Sequence, residues 1–331
     1  MSESRIIRPY PGFIIPTRRF VDVGMPNGGV CAAGRYQLIK RDAWGVEIER
    51  TPWFDNIILD SGLNRWGTAA SIAGAAIGTG TATPASTDTG LQSESHYTTT
   101  GGTGGGSTAL GSSPYNNTVT YVYRTTLGSL NGNYTEVGVG WATGQMFSRA
   151  LILDGGGSPT TISVTSAQQL DIVYQLSIYP PLTDIGPTTI TISGVDYDVI
   201  GRAANVNSLS STIGWTPSVW ASREISSQGS NSVYTGTIGA ITGTPSGSSG
   251  VSGSTGLVGS YSNNSLQRHV TASYGLTQGN ASGGIKSTII SWGAPSSTAM
   301  ASFQYEFDPV IPKDGTKTLV LNYSITWSRR P

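Results

Sequence analysis

Charge is scarce in this 331-residue chain: Asp, Glu, Lys and Arg make up 11% of it, against about 25% in an average soluble protein. The nineteen basic and nineteen acidic side chains cancel, so no whole-chain field recruits nucleic acid or an anionic membrane surface. A single cysteine, Cys31, excludes an internal disulfide, and two histidines, His96 and His269, are too few for an ordinary structural zinc site. Long apolar runs are missing as well. The start, MSESRIIRPY, has no apolar signal core, and the longest weakly apolar stretch, Ala69 to Ile77, falls far short of the roughly 20 residues that span a bilayer. The expectations are synthesis in a cytoplasm without Sec-type export, no membrane insertion, no nucleic-acid partner, no cofactor and no bound metal.

What is abundant is small and β-compatible. The chain holds 45 Gly, 43 Ser and 40 Thr, a composition that disfavours helical bundles, which need Ala, Leu, Glu and Lys. Disorder is the competing reading of so much Gly and Ser, but 8 Trp, 15 Tyr and 6 Phe supply burial that disordered chains lack. The expected class is all-β: two related β-sandwich modules, residues 66–181 and 182–331, preceded by an extended N-terminal arm, a hairpin and a short helix in residues 1–65.

Charge marks the first boundary, because nine of the basic and seven of the acidic residues fall within residues 1–65. There, RIIRPYPGFIIPTRRF (Arg5 to Phe20) is broken by Pro9, Pro11 and Pro16 and mixes apolar with basic side chains, as an extended docking arm would. Gly34 to Arg50 places two β-forming runs around Asp42, Ala43, Trp44 and Gly45, which predicts a hairpin. Further on, Asp60 or Ser61 can cap a short helix with Leu63, Trp66, Ala70 and Ala73 at near-helical spacing.

The body carries an internal repeat. At an offset of 151, Val119 to Trp141 lies over Val270 to Trp292, and at 149, LDIVYQLSIYPP (Leu170 to Pro181) lies over LVLNYSITWSRR (Leu319 to Arg330). Both later segments alternate apolar and polar residues, the pattern of half-buried strands. TTITISGVDYDVIG predicts a further hairpin opening the second module. Long Gly and Ser tracts at Thr98 to Pro114 and Gly243 to Asn264 read as loops, ordered by a neighbouring chain or left as surface excursions.

No catalytic constellation is visible. GGTGGG at Gly101 to Gly106 lacks the Gly-Lys-Ser/Thr that completes a phosphate cradle, and no Gly-x-Ser-x-Gly elbow occurs. Asp196 and Asp198 can bind a cation or act on a sugar, but alternation puts them on one solvated side of a strand. Cys31 has no His-bearing partner motif. Trp141, Trp292 and Trp327 sit in alternating strands and read as core. Trp215 and Trp220, in the less regular GWTPSVWASRE, are the candidates for an exposed binding surface.

The segments WFDNIILDSGLNRWG (Trp53 to Gly67) and IGTGTATPASTDTGLQSE (Ile77 to Glu94) resemble structural proteins of tailed bacteriophages. EVGVGWATGQMFSRALI (Glu136 to Ile152) and LDIVYQLSIYPP are similar to their downstream strands. The resemblance spans roughly residues 35–181, with a weaker echo in 270–331, and the large second module departs from it. It implies a tail, tail-fibre or neck-associated assembly protein, assembled in the host bacterial cytoplasm, and brings no catalytic residue. The expected function is that of a non-enzymatic virion protein that oligomerises and docks on other virion proteins through Arg5, Arg8, Phe13, Ile14, Arg18, Arg19 and Phe20. A host-surface glycan receptor bound through Trp215 and Trp220, and decoration of the capsid, are the alternatives.

Overall fold

The computed structural model describes residues 24–104, 107–249, 254–293 and 298–330. The chain runs through β1 (Gly28–Arg41), β2 (Glu47–Arg50), β3 (Phe54–Asp55), β4 (Ile57–Ile58), α1 (Asp60–Arg65), β5 (Gly74–Gly78), β6 (Glu94–Thr98), β7 (Gly101–Gly104) and β8 (Thr108–Ala109). There follow β9 (Asn117–Arg124), β10 (Gly132–Tyr134), β11 (Glu136–Ala142), β12 (Gln145–Leu151), β13 (Ile162–Val164), β14 (Gln169–Tyr179), β15 (Ile185–Ile192) and β16 (Val195–Ala203). The remainder is α2 (Pro217–Ser222), β17 (Ser227–Tyr234), β18 (Ser254–Val258), β19 (Gln267–Tyr274), β20 (Ile285–Gly293), β21 (Ala299–Ile311) and β22 (Leu319–Arg329). The all-β expectation holds.

A ten-stranded sheet, ordered β18-β19-β22-β1-β14-β9-β7 with β2 and β3 on β1 and β8 on β9, is the common floor. One five-stranded sheet, β4-β12-β11-β5-β6, faces the β1-β14-β9 part of it: Tyr36 on β1 donates to the Ser148 carbonyl at 3.2 Å, and the ring of Trp66, just past α1, lies 5.5 Å from Phe147 of β12. The other, β15-β16-β21-β20-β17, faces the β19-β22 part, where Tyr323 bonds Thr288 at 3.0 Å and its ring lies 5.2 Å from that of Tyr305. Two sandwiches thus share one sheet, with inward residues alternating along each strand.

The repeated segments take equivalent places. β9 pairs with β14 as β19 does with β22, and β11 pairs with β12 as β20 does with β21. Joining the halves is β1, antiparallel to β14 on one side and parallel to β22 on the other. So part of the segment read as arm and hairpin is a central member of the body's own sheet, and the 65/66 division does not separate sheets. Small side chains permit this crowding: a Cβ at Gly28 would strike the Phe303 ring, and one at Gly34 the Tyr174 ring.

Local expectations hold in part. The hairpin over 34–50 forms, its turn closed by Asp42 N–H to the Val46 carbonyl at 2.9 Å and by Gly45 at φ 85°. β15 and β16 turn through Ser193 and Gly194 with φ 52° and 81°, as a two-residue type I′ hairpin requires. The helix is shorter than its spacing predicts. It starts after Leu59, makes no side-chain cap and ends at Arg65, while Ala73 donates instead to the Gly140 carbonyl and the chain enters β5. Much of the Gly/Ser tracts joins sheet edges as β7, β8 and β18.

Candidate interaction surfaces

Segments Trp53 to Gly67 and Ile77 to Glu94 are organising centres. In α1 and just beyond it, the Leu63 carbonyl accepts the Trp327 Nε1–H at 2.8 Å, and Asn64 Oδ1 accepts the Tyr261 hydroxyl at 2.8 Å and the Asn264 N–H at 2.7 Å. The Gly67 carbonyl takes a hydrogen bond from Arg268 at 2.6 Å, and a Cβ at Gly67 would collide with the Tyr261 ring. Residues 63–67 therefore tie the first part of the chain to its C-terminal third. The loop after β5 is held differently. Buried Glu136 accepts the N–H groups of Gly80 (3.0 Å), Gln92 (3.0 Å) and Ser93 (2.7 Å) and a guanidinium N–H of buried Arg149 at 2.9 Å. Arg149 also reaches Asp88 at 2.9 Å, so one buried ion pair fixes both ends of the loop.

Arg5, Arg8, Phe13, Ile14, Arg18, Arg19 and Phe20 lie outside the described residues. Trp215 and Trp220 do not form a surface. Both are fully buried, with their Nε1–H groups donated to the carbonyls of Ala204 (2.9 Å) and Met300 (2.7 Å). The reason is α2: the helix wedges between the shared sheet and β21, so Trp220 meets Trp66 edge-on at 4.7 Å and Trp215 meets Phe303 at 5.4 Å. An irregular sequence here marks a plug between the sandwiches. Trp292 and Trp327 are core as expected, whereas Trp141 is half-buried beneath the Arg65 guanidinium, 4.8 Å from its ring centre.

The remaining polar candidates stay apart. Asp196 and Asp198 accept cross-strand hydroxyls from Thr191 (2.6 Å) and Thr189 (2.8 Å). His96 lies on β6 and exposed His269 on β19. Cys31 is a half-buried thiol with its Sγ 3.5 Å from the Ser328 hydroxyl. Among the described residues no group of three or more His, Cys, Asp or Glu is placed to hold a metal ion, and no helix is long and apolar enough to cross a membrane.

Two surfaces escaped sequence reasoning. At the β1–β2 tip, Trp44 is 88% exposed, Val46 61% and Ile48 50%. The turn holds them out because Asp42 Oδ1 accepts the N–H groups of both Trp44 (2.9 Å) and Val46 (2.8 Å). The signal was present in the sequence, since a tryptophan inside a tight turn has no core to enter. The second surface is the outer face of the shared sheet. There a polar groove of about 420 Å³ passes over Arg35, Gln175 and Ser177 and meets an apolar groove of about 470 Å³ at Tyr179.

No protein-family model, curated protein or solved structure matches this chain.

Proposed function

We propose that this chain is a non-enzymatic structural protein of a tailed-bacteriophage particle, placed in the tail or neck, which self-associates and docks through its N-terminal segment. The observation that carries the reading is the hairpin tip. Three large apolar side chains stand in water on a turn locked by its own aspartate. Burying the apolar area they still expose against a partner is favourable at about 25 cal/mol per Å². The resemblance of Trp53 to Gly67 and Ile77 to Glu94 supplies the particle, and the roles of Leu63, Asn64 and Gly67 in tying the body together account for that motif without chemistry. The host-surface reading loses its aromatic pair, because Trp215 and Trp220 are interior.

The test combines solution mass with location. By light scattering the wild-type chain is expected as a closed oligomer, and W44S/V46T/I48T as a smaller species with an unchanged thermal midpoint. Immunogold labelling is expected at the tail or neck, and deletion of residues 1–20 to leave a folded body that no longer incorporates. A monomer coating the shell in hundreds of copies would replace the proposal with capsid decoration, and absence from particles would end it.

A further inference from the structure

We propose that the outer face of the shared sheet binds an acidic oligosaccharide, in the trough running from Arg35 past Tyr179. The floor is rigid, since β1 and β14 are paired residue by residue from Cys31↔Tyr179 to Arg41↔Gln169. Arg35 stands opposite Gln175, four residues from the Cys31↔Tyr179 pair. At 3.3–3.4 Å per residue the two stations are roughly 13 Å apart. Each station pairs a guanidinium with an aromatic ring: Arg35 sits 4.6 Å from the centre of Trp53, and Arg330 sits 4.1 Å from that of Tyr179. Neither arginine has a carboxylate partner among the described residues. Arg35 spends its Nε on Gln175 Oε1 at 2.8 Å, which fixes the fork, and its terminal nitrogens make no hydrogen bond among the described residues.

The material between the stations selects the ligand class. Thr118, Gln175, Ser177 and Asp55 line the polar groove with hydroxyl, amide and carboxylate groups, which suit a polyhydroxylated chain. The apolar groove beyond, lined by Tyr115, Pro180, Pro181 and Leu182, offers apolar surface for the apolar sides of sugar rings, while Tyr179 carries the Arg330 guanidinium over its ring. A peptide added as a strand needs a free backbone edge, whereas β14 is paired on both sides here, to β1 and to β9. Nucleic acid calls for more cations than two arginines, one of which stands across the β1–β3 pair from Asp55. Those two guanidiniums specify an acidic rather than a neutral sugar.

Isothermal titration of the full chain with galacturonate and mannuronate hexamers, and with maltohexaose as the neutral control, tests this. Saturable binding to at least one acidic hexamer is expected, about tenfold or more tighter than to maltohexaose and weakening as salt is raised. R35A and Y179A should each lower that affinity by about tenfold or more with an unchanged thermal midpoint, and R35K should restore only part of it. W44S should bind like wild type, which separates this site from the hairpin and from any role on a particle. Absence of saturable binding to both acidic hexamers, equal affinity for maltohexaose, or undiminished affinity in R35A would overturn the proposal.

Discussion

A tryptophan contributes most where its ring is enclosed and its single N–H is answered, and Trp215 and Trp220 meet both conditions. Trp220→Phe keeps most of the ring but strands the Met300 carbonyl, so urea denaturation should show a loss of about 1–3 kcal/mol. Trp220→Ala opens a cavity beside Trp66 and should cost about 3–5 kcal/mol. The W215A/W220A pair is expected to abolish a cooperative transition; a double variant with wild-type stability would return these residues to the surface. Asp171 makes the ionic counterpart. Burial pushes its carboxyl up, but hydrogen bonds from Arg124 and Arg41 outweigh that and hold it below the ordinary carboxylate value of 3.8. The folded value is therefore the lower one. The contribution is complete above 3.8 and is lost as pH falls through the folded value. Melting followed from neutral to strongly acid pH should show wild type falling in that window, with Asp171→Asn less stable at neutral pH and flatter below it.

Elements were legible in the sequence where a local rule decides them. Asp42 to Gly45 announces the first hairpin and Ser193-Gly194 the later one, and clean alternation marks β14 and β22. β1 was only half legible. Its N-terminal part, GGVCAAG, has no period, and its partner β22 lies almost the whole chain away, so only the long-range pairing reveals it. α1 stops early for a similar reason: after local turns at residues 66–69, Ser71 and Ile72 donate to the Ala221 carbonyl and Ala73 to that of Gly140, so nonlocal partners take the backbone before β5. The Gly/Thr loop after β5 shows how a nonlocal residue orders a segment that composition marks as loose. Glu136→Ala removes the acceptor of three backbone N–H groups and leaves Arg149 buried with only Asp88 and the Ala82 carbonyl. The expected cost is about 3–5 kcal/mol. Hydrogen exchange should locate the loss at Gly80, Gln92 and Ser93; unchanged protection there would refute the clamp. Of the candidate surfaces, the hairpin tip was readable in outline, whereas the trough depends on strands brought together from distant parts of the chain and had no local signature.

At the scale of the whole molecule, the shared sheet couples the two sandwiches, and buried tyrosines provide a common trigger in both. Burial pushes the Tyr121 hydroxyl up to about 12 from its ordinary 10.0, and raises Tyr36, Tyr123 and Tyr174 in the first sandwich as well. Tyr274, Tyr305 and Tyr323 in the second are raised for the same reason. Every one of these folded values exceeds the unfolded value, so stability is intact below pH 10.0. Above it, the unfolded chain gains charge that the fold excludes, and stability falls. Tyr174 and Tyr323 lie on β14 and β22, which flank β1 on opposite sides, so loss of either sandwich strips a partner from the strand that holds the other. Alkaline titration is therefore expected to produce buried tyrosinate absorbance in one step, coincident with loss of near-ultraviolet circular dichroism. Two separated steps would mean that β1 transmits too little free energy to bind the halves into one cooperative unit, and each sandwich would then be unfolding alone.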